Sequence, residues 1–119
     1  MTTDSTFIAS ADATLAAIGA ALDAALAGDE NAVDNDTDWS LIDGILEIEC
    51  GDGSKLIVNR HVPNREIWVA ARSGGFHFRA DGGVWRDSRS GGELGALLSG
   101  LLRDQAGLMV ELTALPPPP

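Results

Sequence analysis

Apolar residues fall at Phe7, Ile8, Ala11, Leu15, Ile18, Leu22, Ala25 and Leu26, spacings of three and four that draw one apolar stripe along a helix. The alanines between them favour the same conformation. The pattern predicts a helix from Ser5 to about Ala27, stopped at Gly28, where glycine readily takes the left-handed turn that ends helices. Beyond it the period changes. Leu46, Ile48 and Cys50 alternate with Glu47 and Glu49, the signature of a strand with one wet face. Short runs of this kind are separated by turn chemistry at Asp43-Gly44, Gly51-Asp52-Gly53-Ser54, His61-Val62-Pro63-Asn64, Ser73-Gly74-Gly75 and Asp81-Gly82-Gly83. They predict strands over 36–41, 45–50, 55–60, 66–71, 76–80 and 84–87, in an antiparallel meander. A helical stripe returns with Leu94, Leu97, Leu98, Leu101 and Leu102, behind Ser90-Gly91-Gly92-Glu93, which has the spacing of a capping box. That helix is expected to end near Gln105–Gly107.

A helix, an antiparallel sheet and a second helix imply an α+β sandwich in which both helices cover one face of the sheet and leave the other to solvent. With 119 residues the chain makes one domain. A domain of this size buries enough surface to fold without disulfides or a structural metal. Cys50 is the single cysteine, which excludes an internal disulfide and any cysteine-rich metal site and points to a reducing compartment. It alternates with the two glutamates and is expected to face the core. No stretch is expected to be apolar enough to span a bilayer. The start, Met1-Thr2-Thr3-Asp4, lacks the basic residues of a targeting segment. The expectation is a cytoplasmic protein.

Charge changes the picture more than composition does. The net charge is −10, and no Lys or Arg occurs before Lys55, whereas twelve acids do. An anionic first half argues against nucleic acid or anionic lipid as its partner, and for cations or a basic protein surface. Asp29, Glu30, Asp34, Asp36 and Asp38 cluster near the first strand, with Asp23 on the helix before it. At a strand period of two, Asp34, Asp36 and Asp38 would project to one side. Carboxylates are hard donors suited to magnesium, calcium, manganese or iron. The plainer alternative is a solvated edge whose charge prevents strand pairing between molecules. Asp34-Asn35-Asp36-Thr37-Asp38 does not open a calcium loop, because Trp39 and Ile45 stand where Gly and Glu are needed. His61 and His77 are isolated in sequence and read as surface residues more readily than as ligands. Trp68 lies between Ile67 and Val69. If those two enter the core, Trp68 stands on the open face beside Asn59, as an interface anchor would; the opposite assignment would bury it.

Asp52 to Arg60, Pro63, Ile67-Trp68-Val69-Ala70, Gly74-Gly75-Phe76-His77-Phe78, Trp85-Arg86-Asp87, Arg89-Ser90-Gly91 and Gln105-Ala106-Gly107 resemble, in order and spacing, the bacterial frataxin (CyaY) family. The likeness runs from about Phe7 to Leu112, which makes 1–112 a frataxin-like domain and leaves 113–119 as a Pro-rich disordered tail. The resemblance implies the two-helix sandwich just described. It implies a protein that is not an enzyme, binding Fe2+ or Fe3+ weakly through surface carboxylates and acting in iron–sulfur cluster assembly as regulator or iron donor. The implied partners are the cysteine desulfurase and the cluster scaffold, with the protein a monomer or an iron-dependent oligomer. The metal-site positions are Asp23, Asp36 and Asp38, with Asp34, and Asp29 and Glu30 in the preceding loop. The partner-binding positions are Asn59, Arg60, Trp68 and His77. Gly19, Ala20 and Ala24 thin the acidic ridge that relatives carry on the helix, and His61 stands where many relatives have Gln. The alternatives are an oligomerising iron-storage or ferroxidase protein and an acidic protein-binding module unconnected with iron. A ferroxidase needs Glu and His ligands from bundled helices, which this pattern lacks.

Overall fold

The computed structural model describes residues 3–28, 35–113 and 115–119. Helix α1 runs Asp4–Gly28, followed by strands β1 (Asp38–Ile42), β2 (Ile45–Glu49), β3 (Lys55–His61), β4 (Glu66–Ala71), β5 (Gly74–Asp81) and β6 (Val84–Asp87), then helix α2 (Leu94–Ala106). The six strands form one antiparallel sheet in sequence order. Asp43 and Gly44 both take positive φ, the type I′ geometry of a two-residue hairpin, and Gly82-Gly83 repeats it.

One face of the sheet carries Leu46, Ile48, Leu56, Val58, Ile67, Val69, Phe78 and Trp85 against Phe7, Leu15, Ile18 and Leu22 of α1 and Leu94, Leu98 and Leu102 of α2, all buried. Phe7 meets Trp85 edge to face at 6.0 Å. The Trp85 Nε1–H donates to the Thr14 hydroxyl at 3.2 Å, so the one polar atom of that ring is satisfied inside the core. Cys50 is buried as expected. Leu108, Val110 and Leu112 extend the core past α2, and the Ser99 hydroxyl ties α2 to the Val110 carbonyl at 3.1 Å. Of the Pro-rich segment, Pro118 is buried and the Ser10 hydroxyl donates to the Pro117 carbonyl at 3.2 Å.

Three local expectations change. Against the reading that no stretch could span a bilayer, α1 is long and apolar enough to do so. The sheet claims its apolar stripe, since Phe7, Ala11, Leu15, Ile18 and Leu22 are all buried against the core. The first strand begins at Asp38, not Asp36, because Asn35 makes a turn: its Oδ1 accepts from the Thr37 N–H at 2.9 Å and from the Thr37 hydroxyl, while its Nδ2–H donates to the Ala106 carbonyl. The capping box does not form either. Glu93 is the N-cap of α2 and its side chain makes no cap bond; Ser90 instead donates its hydroxyl to Asp87 at 2.7 Å and accepts from the Gly92 N–H at 3.1 Å.

Candidate functional site

Two regions carry the sequence candidates. The first is the β1 edge. Asp29, Glu30 and Asp34 lie outside the described residues. Asp36 is exposed ahead of β1 and Asp38 is exposed at its first position. Asp23 and Asp38 both bond to one residue that sequence reading passed over, Trp39. Its Nε1–H donates to Asp23 Oδ1 at 2.8 Å and its backbone N–H to Asp38 Oδ1 at 2.8 Å. Gly19 lets the ring in: a Cβ there would sit 2.7 Å from Trp39 Cη2. The glycine that thins the acidic helix is thus the seat of the tryptophan that orients Asp23.

The charge split along the chain is largely settled by pairing across it. Asp4 meets Arg65 at 3.0 Å, Glu47 meets Lys55 at 2.7 Å, and Asp12 and Asp52 pair with Arg60 and Arg72. The Ser54 hydroxyl and N–H, with Arg72, hold the Asp52 carboxyl at about 2. Asp23, Asp36 and Asp38 have no ion pair among the described residues, and Asp38 stands directly opposite Glu49 across β1 and β2, with Lys55 on the other side of Glu49. Like charges in register repel, so this edge favours a cation or a basic surface. Among the described residues no three His, Cys, Asp or Glu side chains converge to enclose a metal. The carboxylates suit hard ions such as iron as an exchangeable cargo.

The second region is the open face of the sheet. Ile67 and Val69 are in the core and Trp68 is on the open face, opposite Asn59 of β3 and His77 of β5. Trp68 is stacked between His61 at 3.6 Å and His77 at 4.3 Å, the planes within about ten degrees of parallel. The two histidines that look isolated in sequence come together around it. Under the stack, buried Glu66 accepts from the Trp68 Nε1–H at 2.9 Å and from Arg79 Nε–H and Nη2–H at 3.0 and 2.7 Å. Burial pushes the Glu66 carboxyl up, but the bonds from Trp68 and Arg79 and the Arg79 charge outweigh it and hold it below its ordinary value. Asp87 behaves alike: burial raises it, and the Ser90 hydroxyl and N–H and the His77 N–H bring it below its ordinary value. Arg60 does not join this face. Its strand parity turns it to the helix side, where it reaches Asp12 of α1 and, at 3.9 Å, Asp43.

The family model of the frataxin-like domain matches residues 1–108. The chain is 52% identical over 110 residues to the "Iron-sulfur cluster assembly protein CyaY" of Dechloromonas aromatica, covering 92% of this chain and 97% of that one. Among solved structures it is similar to a CyaY-family frataxin from Psychromonas ingrahamii, with a TM-score of 0.82, 30% identity, and coverage of 95% of this chain and 100% of that one. It shares the fold of the trimeric frataxin from Saccharomyces cerevisiae complexed with ferrous iron, with a TM-score of 0.68 at 23% identity, covering 82% of this chain and 86% of that one. The sandwich, the stacked tryptophan on its open face and these matches agree, and the chain belongs to the frataxin-like family.

Proposed function

We propose that this protein acts in iron–sulfur cluster assembly as a non-enzymatic, cytoplasmic iron-binding regulator or iron donor. It docks on the cysteine desulfurase through the β1 edge and on the cluster scaffold through the Trp68 face. The observation that carries the reading is the set of carboxylates without ion pairs among the described residues, Asp23, Asp36 and Asp38, in a protein that pairs Asp4, Asp12, Glu47 and Asp52 internally. Retained repulsion on one edge is a standing attraction for Fe2+, Fe3+ or a basic protein surface. The naming of the Dechloromonas relative as a cluster assembly protein and the ferrous complex of the yeast protein support it. Binding by exposed carboxylates is weak and salt-sensitive, as suits an ion to be passed on.

The test is desulfurase turnover and cluster formation on the scaffold, each measured with and without this protein over a range of iron concentrations. The reading expects a change in rate that depends on iron and disappears when Asp23, Asp36 and Asp38 become Asn. Rates indifferent to the protein at every iron level would refute it.

A further inference from the structure

His61 Nδ1 is enclosed and makes no hydrogen bond among the described residues, whereas Glu66, Arg79 and the Trp68 Nε1–H close by bond to one another. An orphaned buried polar atom calls for a reason. The ring that carries it lies flat on one face of Trp68 at 3.6 Å, and His77 takes the other face at 4.3 Å. The two imidazoles look equivalent, but their surroundings differ. His77 faces carboxylates: its backbone N–H bonds to Asp87, and burial raises the Glu66 carboxyl while Trp68, Arg79 and last the charge of His77 bring it down. The arginines on that side are engaged, Arg79 by Glu66, Arg86 by the Gly91 carbonyl and Arg89 by the Gly75 carbonyl. Around His61 the charged groups are likewise committed. Its cross-strand partner Glu66 serves Trp68 and Arg79, Arg60 beside it turns to Asp12 on the helix side, Asp43 in the turn next to β3 lies toward Arg60, and Arg65 in the turn that follows meets Asp4.

A neutral His61 carries its proton on Nε2 and leaves Nδ1 a bare acceptor, the smaller penalty for a buried polar atom. Protonation puts an N–H donor at Nδ1 with nothing to receive it. An unmet buried donor costs more than an imidazolium gains over an indole on a solvent-facing sheet. We infer that His61 is a proton-gated cover on Trp68: neutral, it lies stacked on the indole; protonated, it swings to solvent and uncovers one face of the ring, while His77 stays. The patch changes from an indole shielded on both sides to an open ring face beside a new positive charge, over the pH interval in which imidazole ordinarily titrates. The free energy at stake is that of one surface contact, so the change is local and leaves the fold intact. It takes place in the isolated protein and needs no partner.

The experiment is a proton NMR titration of the full chain from about pH 8 to about pH 5, following the ring protons of His61 and His77, assigned with His61→Gln and His77→Gln. Ring protons stacked on an indole are displaced upfield by its ring current. The expected result is that His61 loses this displacement as it takes up its proton and that His77 keeps it, with the backbone amide spectrum dispersed throughout. A second measurement is acrylamide quenching of Trp68, taken as the difference between the wild type and Trp68→Phe. Its rate constant should rise in the wild type as pH falls, and in His61→Ala it should stand at the higher level at both ends of the range. A protonated His61 that keeps its upfield displacement overturns the proposal, because the ring then stays stacked with water or another group meeting Nδ1. So does a His61 that takes up no proton in this interval, a His77 that leaves with it, an amide spectrum that collapses at the same pH, or a quenching step that survives in His61→Ala.

Discussion

At the β1 edge Asp38 faces Glu49 and has no ion pair of its own among the described residues, whereas at β4 and β5 a carboxylate that is almost wholly buried, Glu66, is matched by Trp68 and Arg79. The same chemical group is left in repulsion at one end of the sheet and satisfied at the other. A satisfied network fixes geometry, so the Trp68 face meets a partner already ordered and loses little conformational freedom on docking. An unsatisfied cluster fixes no contact but projects a field over a Debye length. The face is built for complementarity and the edge for attraction at a distance.

The sharpest way to break this contrast is at the face. Trp68→Ala should lower scaffold affinity about thirtyfold or more, the level of an interface anchor. Its cost in stability should be about 1–2 kcal/mol, short of the ~3–5 kcal/mol of a tryptophan truncated in a core. Urea unfolding beside calorimetric binding separates the two numbers; a larger stability loss with unchanged affinity would make the stack a structural device only. At the edge the corresponding change is Gly19→Ala. The added methyl would strike Trp39 and loosen its bond to Asp23, so overpacking of roughly 1–3 kcal/mol should exceed the helix-propensity gain of at most ~1 kcal/mol. Urea midpoints check the sign, and a stabilised variant would show that Trp39 does not need the space.

The difference between the regions also explains what the sequence disclosed. Helix periodicity and strand alternation locate both helices and all six strands, and the alternation at Ile67-Trp68-Val69 is enough to put Trp68 outside. Parity could have gone further: Glu66 is two residues from Trp68 and His61 two from Asn59, so both belong to the same face. What sequence spacing hides is register, and the His61–Trp68–His77 stack exists only because β3, β4 and β5 align those three residues. Parity likewise removes Arg60 from the partner face, where resemblance alone had placed it. At the edge the strand starts at Asp38 and not at Asp36, because the side chain of Asn35 competes for the backbone and delays it. The role of Trp39 depends on Gly19, a helix glycine twenty residues before it, a contact that no local pattern encodes.

A smaller effect follows from the two buried carboxyls held below their ordinary values, Glu66 and Asp87. A depressed folded-state value means that ionisation favours the folded protein. That contribution is complete above the ordinary carboxylate range near pH 4 and is lost as pH falls through the lower, folded values. Urea midpoints should therefore be flat from neutral pH to about 5 and decline below about 4. Glu66→Gln should shallow the decline while lowering the neutral-pH midpoint, because its amide cannot accept from both Trp68 and Arg79 as a carboxylate does. A decline of unchanged steepness in that variant would assign the acid sensitivity elsewhere.

The smallest expected change in stability is also the one that separates attraction from fold. Replacing Asp38 by Asn removes a like-charge repulsion in direct register and leaves Glu49 opposite Lys55 on its other side. Relief of that repulsion should raise stability by up to about 1 kcal/mol, since cross-strand charge pairs contribute roughly 0.2–1 kcal/mol in either direction. Desulfurase affinity should move the opposite way. For the wild type it should fall steeply as the Debye length shrinks from roughly 30 Å to 8 Å, and the variant should start lower and depend less on salt, because part of the screened field is already gone. The face supplies the control: Trp68→Ala should weaken scaffold binding with the salt dependence unaltered, since it changes no charge. If the Asp38→Asn variant gains stability but keeps the wild-type affinity and salt slope, the repulsion at the β1 edge has no part in finding the desulfurase, and the attraction must come from Asp23 and Asp36 or from the face itself.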